Sequence, residues 1–190
     1  MLEQNHAQDL CQQVLKRCGK DPAEVVLVYK EQALTRFANN AIHQNVAEQN
    51  LTIYLRMLLG KRLGTASTNQ HDPSALDELV SHARINAKAS PEDPNYPGLA
   101  KPAYFSSIDC FDLPTAVYAP EKRADQVGVV CRLADENGLN ASGAFTTGIN
   151  GLTVSNTQDV FAHHTITEAD FQTVVMAEDS SGRAQAVTIP

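Results

Sequence analysis

Few residues of this 190-residue chain are of a type that does chemistry, and their spacing decides what they can do. His163 and His164 form the most visible pair. Neighbouring residues of a strand point to opposite faces, so these two imidazoles cannot share one metal ion without a bulge. They read as one core-edge and one surface histidine. His43 lies in the stretch LTRFANNAIHQNVAEQNLTIYLRM, residues 34–57, on the same strand face as Asn45. Its alternatives are polar recognition and plain solvation. The stretch carries Asn39, Asn40, Asn45 and Asn50 with Gln44 and Gln49, although asparagine is depleted in strands. An amide both donates and accepts hydrogen bonds. On an open sheet face or edge these side chains can bind the backbone of an extended peptide, as in strand addition. On a closed one they are solvated or satisfy each other across strands. Asn39, His43, Gln44, Asn45 and Asn50 are therefore the candidates for substrate binding or subunit contact.

No H-E-x-x-H, H-x-x-x-H, G-x-S-x-G, P-loop or G-x-G-x-x-G occurs. Glu121, Asp125 and Asp135 fit a solvated helix face. Gly143, Gly148 and Gly151 fit turns and bulges better than a phosphate cradle. Cys11 and Cys18 lie on one expected helix, roughly 10 Å apart, too far for a disulfide. With Cys110 and Cys131 they read as small core residues or free thiols. These residues thus hold no complete catalytic centre, no metal site and no cofactor site.

The elements that must position the candidates follow from pattern. Residues 7–18 place Leu10, Val14, Leu15 and Cys18 on one helical stripe that Gly19 ends. Val25–Tyr29 reads as a buried strand and Leu34–Ala38 as a short one. Asn39-Asn40 offers a two-residue turn, because asparagine tolerates positive φ. The return strand runs from Ala41 to Leu58, and Arg62–Thr68 is a further strand after the Gly60-Lys61 turn. Asp72 caps a helix that Pro73 opens, with Leu76, Leu79, Val80, Ala83 and Ala87 on its apolar face. Prolines 91, 94, 97, 102 and 114 mark an extended connector, pinned by Tyr96, Tyr104 and Phe105. Pro120 opens a helix to about Asn137, with Ala124, Val127, Cys131 and Ala134 on one face and Gly138 as terminator. Strands are expected near Leu139–Phe145, Leu152–Asn156, Val160–Thr167, Phe171–Ala177 and Arg183–Thr188. Their turns fall at Gly148–Gly151, Thr157–Asp159 and Asp179–Gly182.

The class is α+β: a helix-flanked antiparallel or mixed sheet unit, then a second helix-plus-antiparallel-sheet unit. The expected division is 1–89 as an N-terminal domain, 90–119 as a Pro-rich connector and 120–190 as the start of a second domain. The last strand ends at VTIP with nothing after it, so these residues read as the N-terminal part of a longer protein. Net charge is −7 with no Lys/Arg cluster, which argues against a nucleic-acid face. No apolar run approaches the ~20 residues of a membrane span, and the polar start MLEQNHAQDL is no secretory signal. The expected location is the cytoplasm.

Certain groups of residues resemble the TldD/PmbA family, also called modulator of DNA gyrase or peptidase U62. They are Thr35-Arg36-Phe37-Ala38-Asn39-Asn40-x-Ile42-His43-Gln44-Asn45, Gly60-Lys61-Arg62-x-Gly64-x-Ala66-Ser67-Thr68-Asn69, Leu76-Asp77-x-Leu79-Val80 and Ala87-x-x-Ser90-Pro91-x-Asp93-Pro94. Ala141-Ser142-Gly143, Val154-x-Asn156, Phe161-Ala162-x-His164 and Ser180-Ser181-Gly182 are similar to the family's middle region. The likeness spans roughly residues 25–185 as many short matches in order.

The resemblance implies an N-terminal part of a cytoplasmic metallopeptidase subunit that pairs with a related subunit, as homo- or heterodimer, around a cavity for unfolded peptides. In the family the active subunit carries an HExxxH zinc motif and a distant cysteine, and a sister subunit lacks them. HExxxH is absent here and lies beyond the matched region in the family. Zinc is thus expected only if that motif follows downstream, and no catalytic residue transfers. The alternatives are a catalytically silent sister subunit or assembly module, or a gyrase-modulating binding protein.

Overall fold

The computed structural model describes residues 1–104, 106, 108–177, 179 and 183–188. Four helices, α1 (Gln4–Cys18), α2 (Pro73–Ala89), α3 (Leu113–Ala116) and α4 (Pro120–Glu136), accompany six strands. The strands are β1 (Ala23–Ala38), β2 (Ala41–Leu59), β3 (Arg62–Thr68), β4 (Leu139–Asn156), β5 (Phe161–Ala177) and β6 (Arg183–Thr188). They form one antiparallel sheet in the order β3-β2-β1-β4-β5-β6. The α+β class expected from the sequence is what the chain adopts.

Two compact units share these strands. The first comprises Met1–Tyr29, Asn50–Asp109 and Gly151–Thr165. Its core is built by amphipathic pattern. α1 buries Ala7, Leu10, Cys11, Val14 and Cys18, and α2 buries Ala75, Leu76, Leu79, Val80, Ala83 and Ala87. α2 packs on β3 and on α1. The strands contribute Val25, Leu27 and Tyr29 with Ile53, Leu55 and Met57, the alternation that puts one face inward. The Asp72 carboxylate accepts from the Ser74 and Ala75 amides, as a cap should. Burial pushes the Cys11 thiol up to about 12 and the Cys18 thiol up to about 11, so both behave as small apolar groups.

The second unit comprises Lys30–Gln49, Cys110–Asn150 and Ile166–Pro190. Phe37, Val127, Cys131, Ala134 and Ala141 form its core, with Val130, Leu139, Phe145, Phe171 and Val175 packed around them. The Phe145 and Phe171 rings meet edge to face at 5.6 Å, and Phe37 stacks on Phe171 at 6.1 Å. Asn39 and Asn40 take φ of 51° and 57°, the turn expected for them.

Three expectations change. The separate strands at Val25–Tyr29 and Leu34–Ala38 are one strand, and so are the pairs that became β4 and β5. The glycines do not turn the chain at 148–151. A Cβ on Gly148 would stand 2.5 Å from the Glu31 carbonyl oxygen, and one on Gly143 would stand 2.1 Å from that of Gln172. These positions stay glycine because neighbouring backbones approach closely. The connector also contains α3, a single turn whose Asp112 carboxylate accepts from Thr115 N at 2.8 Å. Tyr96 is half-buried, but Tyr104 stands 97% exposed and does not pin the connector, whereas Phe105 and residues 180–182 of the last expected turn lie outside the described residues.

His163 is half-buried and His164 exposed. Nδ1 of His163 lies 2.8 Å from Thr153 Oγ1 and Nε2 lies 3.2 Å from Thr165 Oγ1, so both ring nitrogens are occupied. Burial, aided by the adjacent His164, lowers its pKa below the usual 6.5. The folded chain therefore holds fewer protons here than the unfolded chain as pH falls below that value. The unfolding temperature should drop between pH 7 and pH 5, and His163→Gln should flatten this part of the dependence. An unchanged pH profile in the variant would remove the assignment.

A Cβ on Gly64 would lie 2.1 Å from the Ala83 carbonyl oxygen and 2.2 Å from Ala87 N, both helix backbone. Gly64→Ala should lower the unfolding free energy by at least ~2 kcal/mol. Gly128, inside α4, would meet only the tip of Arg132 at 3.3 Å. Gly128→Ala should raise it by up to about 1 kcal/mol. Denaturant unfolding of both variants reads the contrast, and equal shifts would contradict the close β3–α2 approach.

Candidate functional site

β2 is 19 residues long and β3 only 7. β3 pairs with Ile53–Leu59 and stops. Among the described residues, no strand covers the outer side of β2 before Ile53. Ala41 to Asn50 are all exposed. Edge strands are commonly blunted by lysine or proline. Residues 41–52 contain neither, no arginine, and a single carboxylate, Glu48. The result is a long strand edge open to pairing.

The second unit places the sequence candidates unevenly along it. Asn39 is a turn residue. Its Oδ1 accepts from Asn140 Nδ2 at 3.0 Å and its backbone N–H donates to Ser142 Oγ at 3.4 Å. Asn40, not among the candidates, is held more tightly. Its Nδ2 donates to Leu139 O at 2.8 Å and to Asp135 Oδ1 at 2.5 Å, and its Oδ1 accepts from Ala141 N at 2.6 Å. Gln44 accepts from Arg36 Nη1 at 3.3 Å, and Asn45 accepts from Thr35 Oγ1 at 3.3 Å. These two amides therefore spend an acceptor on β1, and their remaining capacity faces solvent. His43 has no hydrogen-bond partner among the described residues. Asn50, in the first unit, donates to its near neighbour Thr52 at 3.0 Å. Ile42 and Val46 stand 41% and 38% exposed between the amides, a thin apolar strip on a polar strand.

Beside this edge the second unit contains a cavity of about 320 Å3. It spans β2, β1 and β4, reaching Ala47–Gln49, Glu31–Ala33 and Thr147–Ile149, and is closed by Ala116 and Tyr118. Behind it lies Arg123, 2% exposed on α4. Its Nη1 donates to Tyr118 O at 2.6 Å and to Thr147 Oγ1 at 3.0 Å, while Nε has no partner. Among the described residues no carboxylate pairs with it, and burial lowers its pKa. The sequence reading passed over Arg123. Its signal was its spacing, four residues before Val127 on the same buried stripe as Cys131 and Ala134.

The described residues do not group into a ligand set for a catalytic zinc ion. Both nitrogens of His163 are taken by threonines. Among the described residues, no three His, Cys, Asp or Glu side chains group as ligands. No helix among them is long and apolar enough to cross a membrane.

Comparison with known proteins bears on this fold. A family profile described as PmbA/TldA metallopeptidase domain 1 matches residues 23–87. No curated protein matches in sequence. Among solved structures, the chain is similar to TldE from Thermococcus kodakarensis, with TM-score 0.83 at 16% identity over 96% of this chain and 42% of that one. It is similar to a candidate modulator of a DNA gyrase from Thermotoga maritima MSB8, with TM-score 0.79 at 10% identity over 95% and 42%. A candidate modulator of DNA gyrase from Bacteroides thetaiotaomicron VPI-5482 gives 0.82 at 14% identity over 98% and 45%. At such identities the likeness is one of fold, and the chain spans less than half the length of these structures. Residues 23–87 thus match the first domain of the PmbA/TldA family, and the chain shares the fold of these three structures.

Proposed function

We propose that the chain is the N-terminal part of a cytoplasmic TldD/PmbA-type metallopeptidase subunit, and that it receives an extended polypeptide along the open edge of β2. The family match carries the reaction class, since the matching domain is described as a metallopeptidase domain. The edge carries the substrate class. A strand with an unpaired side offers a row of backbone N–H and C=O groups, and an unfolded peptide satisfies them irrespective of its sequence. The surrounding amides add donors and acceptors of both kinds at Gln44 and Asn45. The hydrolytic step belongs to groups outside these residues, with zinc held by an HExxxH motif where one follows.

Folded proteins blunt or cover most strand edges, whereas an unfolded segment offers its backbone freely, so the reading favours unfolded substrates and precursor peptides. A related subunit is the second occupant of interest, and TldE is one protein of this fold. In that reading the chain is a silent partner that completes a cavity. Zinc per subunit in the full-length protein, by elemental analysis, separates the two. Near-stoichiometric zinc favours the catalytic subunit, and none after growth in ample metal favours the silent one.

Strand addition makes a prediction about the peptide backbone. An unstructured peptide should bind the chain, and the same peptide N-methylated at alternate residues should bind at least about tenfold more weakly in one of the two methylation phases. Fluorescence anisotropy measures both. Equal affinity in both phases would rule out pairing along a strand edge.

A further inference from the structure

An added strand places alternate side chains on opposite faces of the sheet. The cavity beside β2 lies on one such face, because it reaches inward from Ala47–Gln49 at the open edge to β1 and β4. Its size comes from small residues. Ala33 and Ala116 leave room beside Ile149, where larger side chains would fill the space. Its lining holds two carboxylates. Glu31 and Glu48 line it, and among the described residues no lysine or arginine does. Arg123 stands behind the wall, where its Nη1 braces Tyr118 O and Thr147 Oγ1, and it is not itself part of the lining.

Apolar surfaces of small residues with carboxylates nearby suit a side chain with an aliphatic stem and a cationic head. Lysine and arginine are the two that have this shape. We propose that the cavity is a side-chain pocket for a lysine or arginine of the polypeptide added to β2, with Glu48 as the accessible acceptor. This rests on the strand-addition reading and adds to it a preference for basic segments. The affinity for any peptide comes from the backbone, and the choice among peptides comes from this pocket. Glu48 belongs to the exposed stretch of β2 and Ala116 is only half-buried on α3, so both can be changed without touching the core.

The test uses the full chain and labelled peptides as long as Ala41–Gln49, made of threonine, serine and valine. One position at a time carries lysine, norleucine or glutamate. Norleucine keeps the stem and removes the charge. At one register lysine should bind about tenfold tighter than norleucine, as a charge-assisted hydrogen bond provides. Glu48→Gln should shrink that preference to about threefold or less. Ala116→Phe should abolish it by filling the space, bringing the lysine peptide down to the affinity of the norleucine peptide. Lysine and norleucine binding equally at every position would overturn the pocket while strand addition stands. No binding by any peptide, with the chain dimeric by light scattering, would overturn both, since a second copy would then occupy the edge.

Discussion

The turn at Asn39-Asn40 is the constraint on which the rest depends. Two consecutive residues with positive φ reverse the chain in the least possible length, and only residues tolerant of that conformation can do so. The turn joins strands of 16 and 19 residues, so it sets the register of a long hairpin. A slip of one residue would exchange the two faces of a strand. Buried Phe37 and Thr35 would then turn to solvent. Asn40 guards against this with its side chain and its backbone, because its N–H also donates to Ala141 O at 3.1 Å. The hairpin tip is thereby tied to the start of β4.

Given that register, the open edge is a matter of unequal lengths. β2 exceeds β3 by 12 residues, 19 against 7, and the excess lies toward the turn. A bare strand edge is a hazard, since it pairs with any free strand. The amides, the single carboxylate and the absence of lysine leave this one receptive. The inner side of the same strands gathers small residues and a glycine, and a cavity results where a sheet of larger side chains would close. Burying Arg123 without a carboxylate is unfavourable in isolation. The two hydrogen bonds of its Nη1 offset part of that, and they hold rigid the wall that a bound side chain would meet.

What the sequence by itself determined is local. The Asp72 cap, the Pro73 start, the apolar stripe from Leu76 to Ala87 and the Asn39-Asn40 turn depend on residues within a few positions of one another. Their types state the backbone they need, and the amide-rich stretch is visible in the same way. Tertiary structure decided what depends on pairing between distant segments. Gly148 reads as a turn residue until β1 is placed against it, because the steric limit comes from Glu31, more than a hundred positions away. The polar run Lys30-Glu31-Gln32 reads as a break until neighbours on both sides hold it extended, where ladder pairing outweighs residue preference. The open edge exists only because β3 ends where it does, and the cavity only because β4, distant in sequence, brings Thr147 beside the β1–β2 hairpin. Periodicity reports which face of an element is buried, and it carries no record of which element lies alongside.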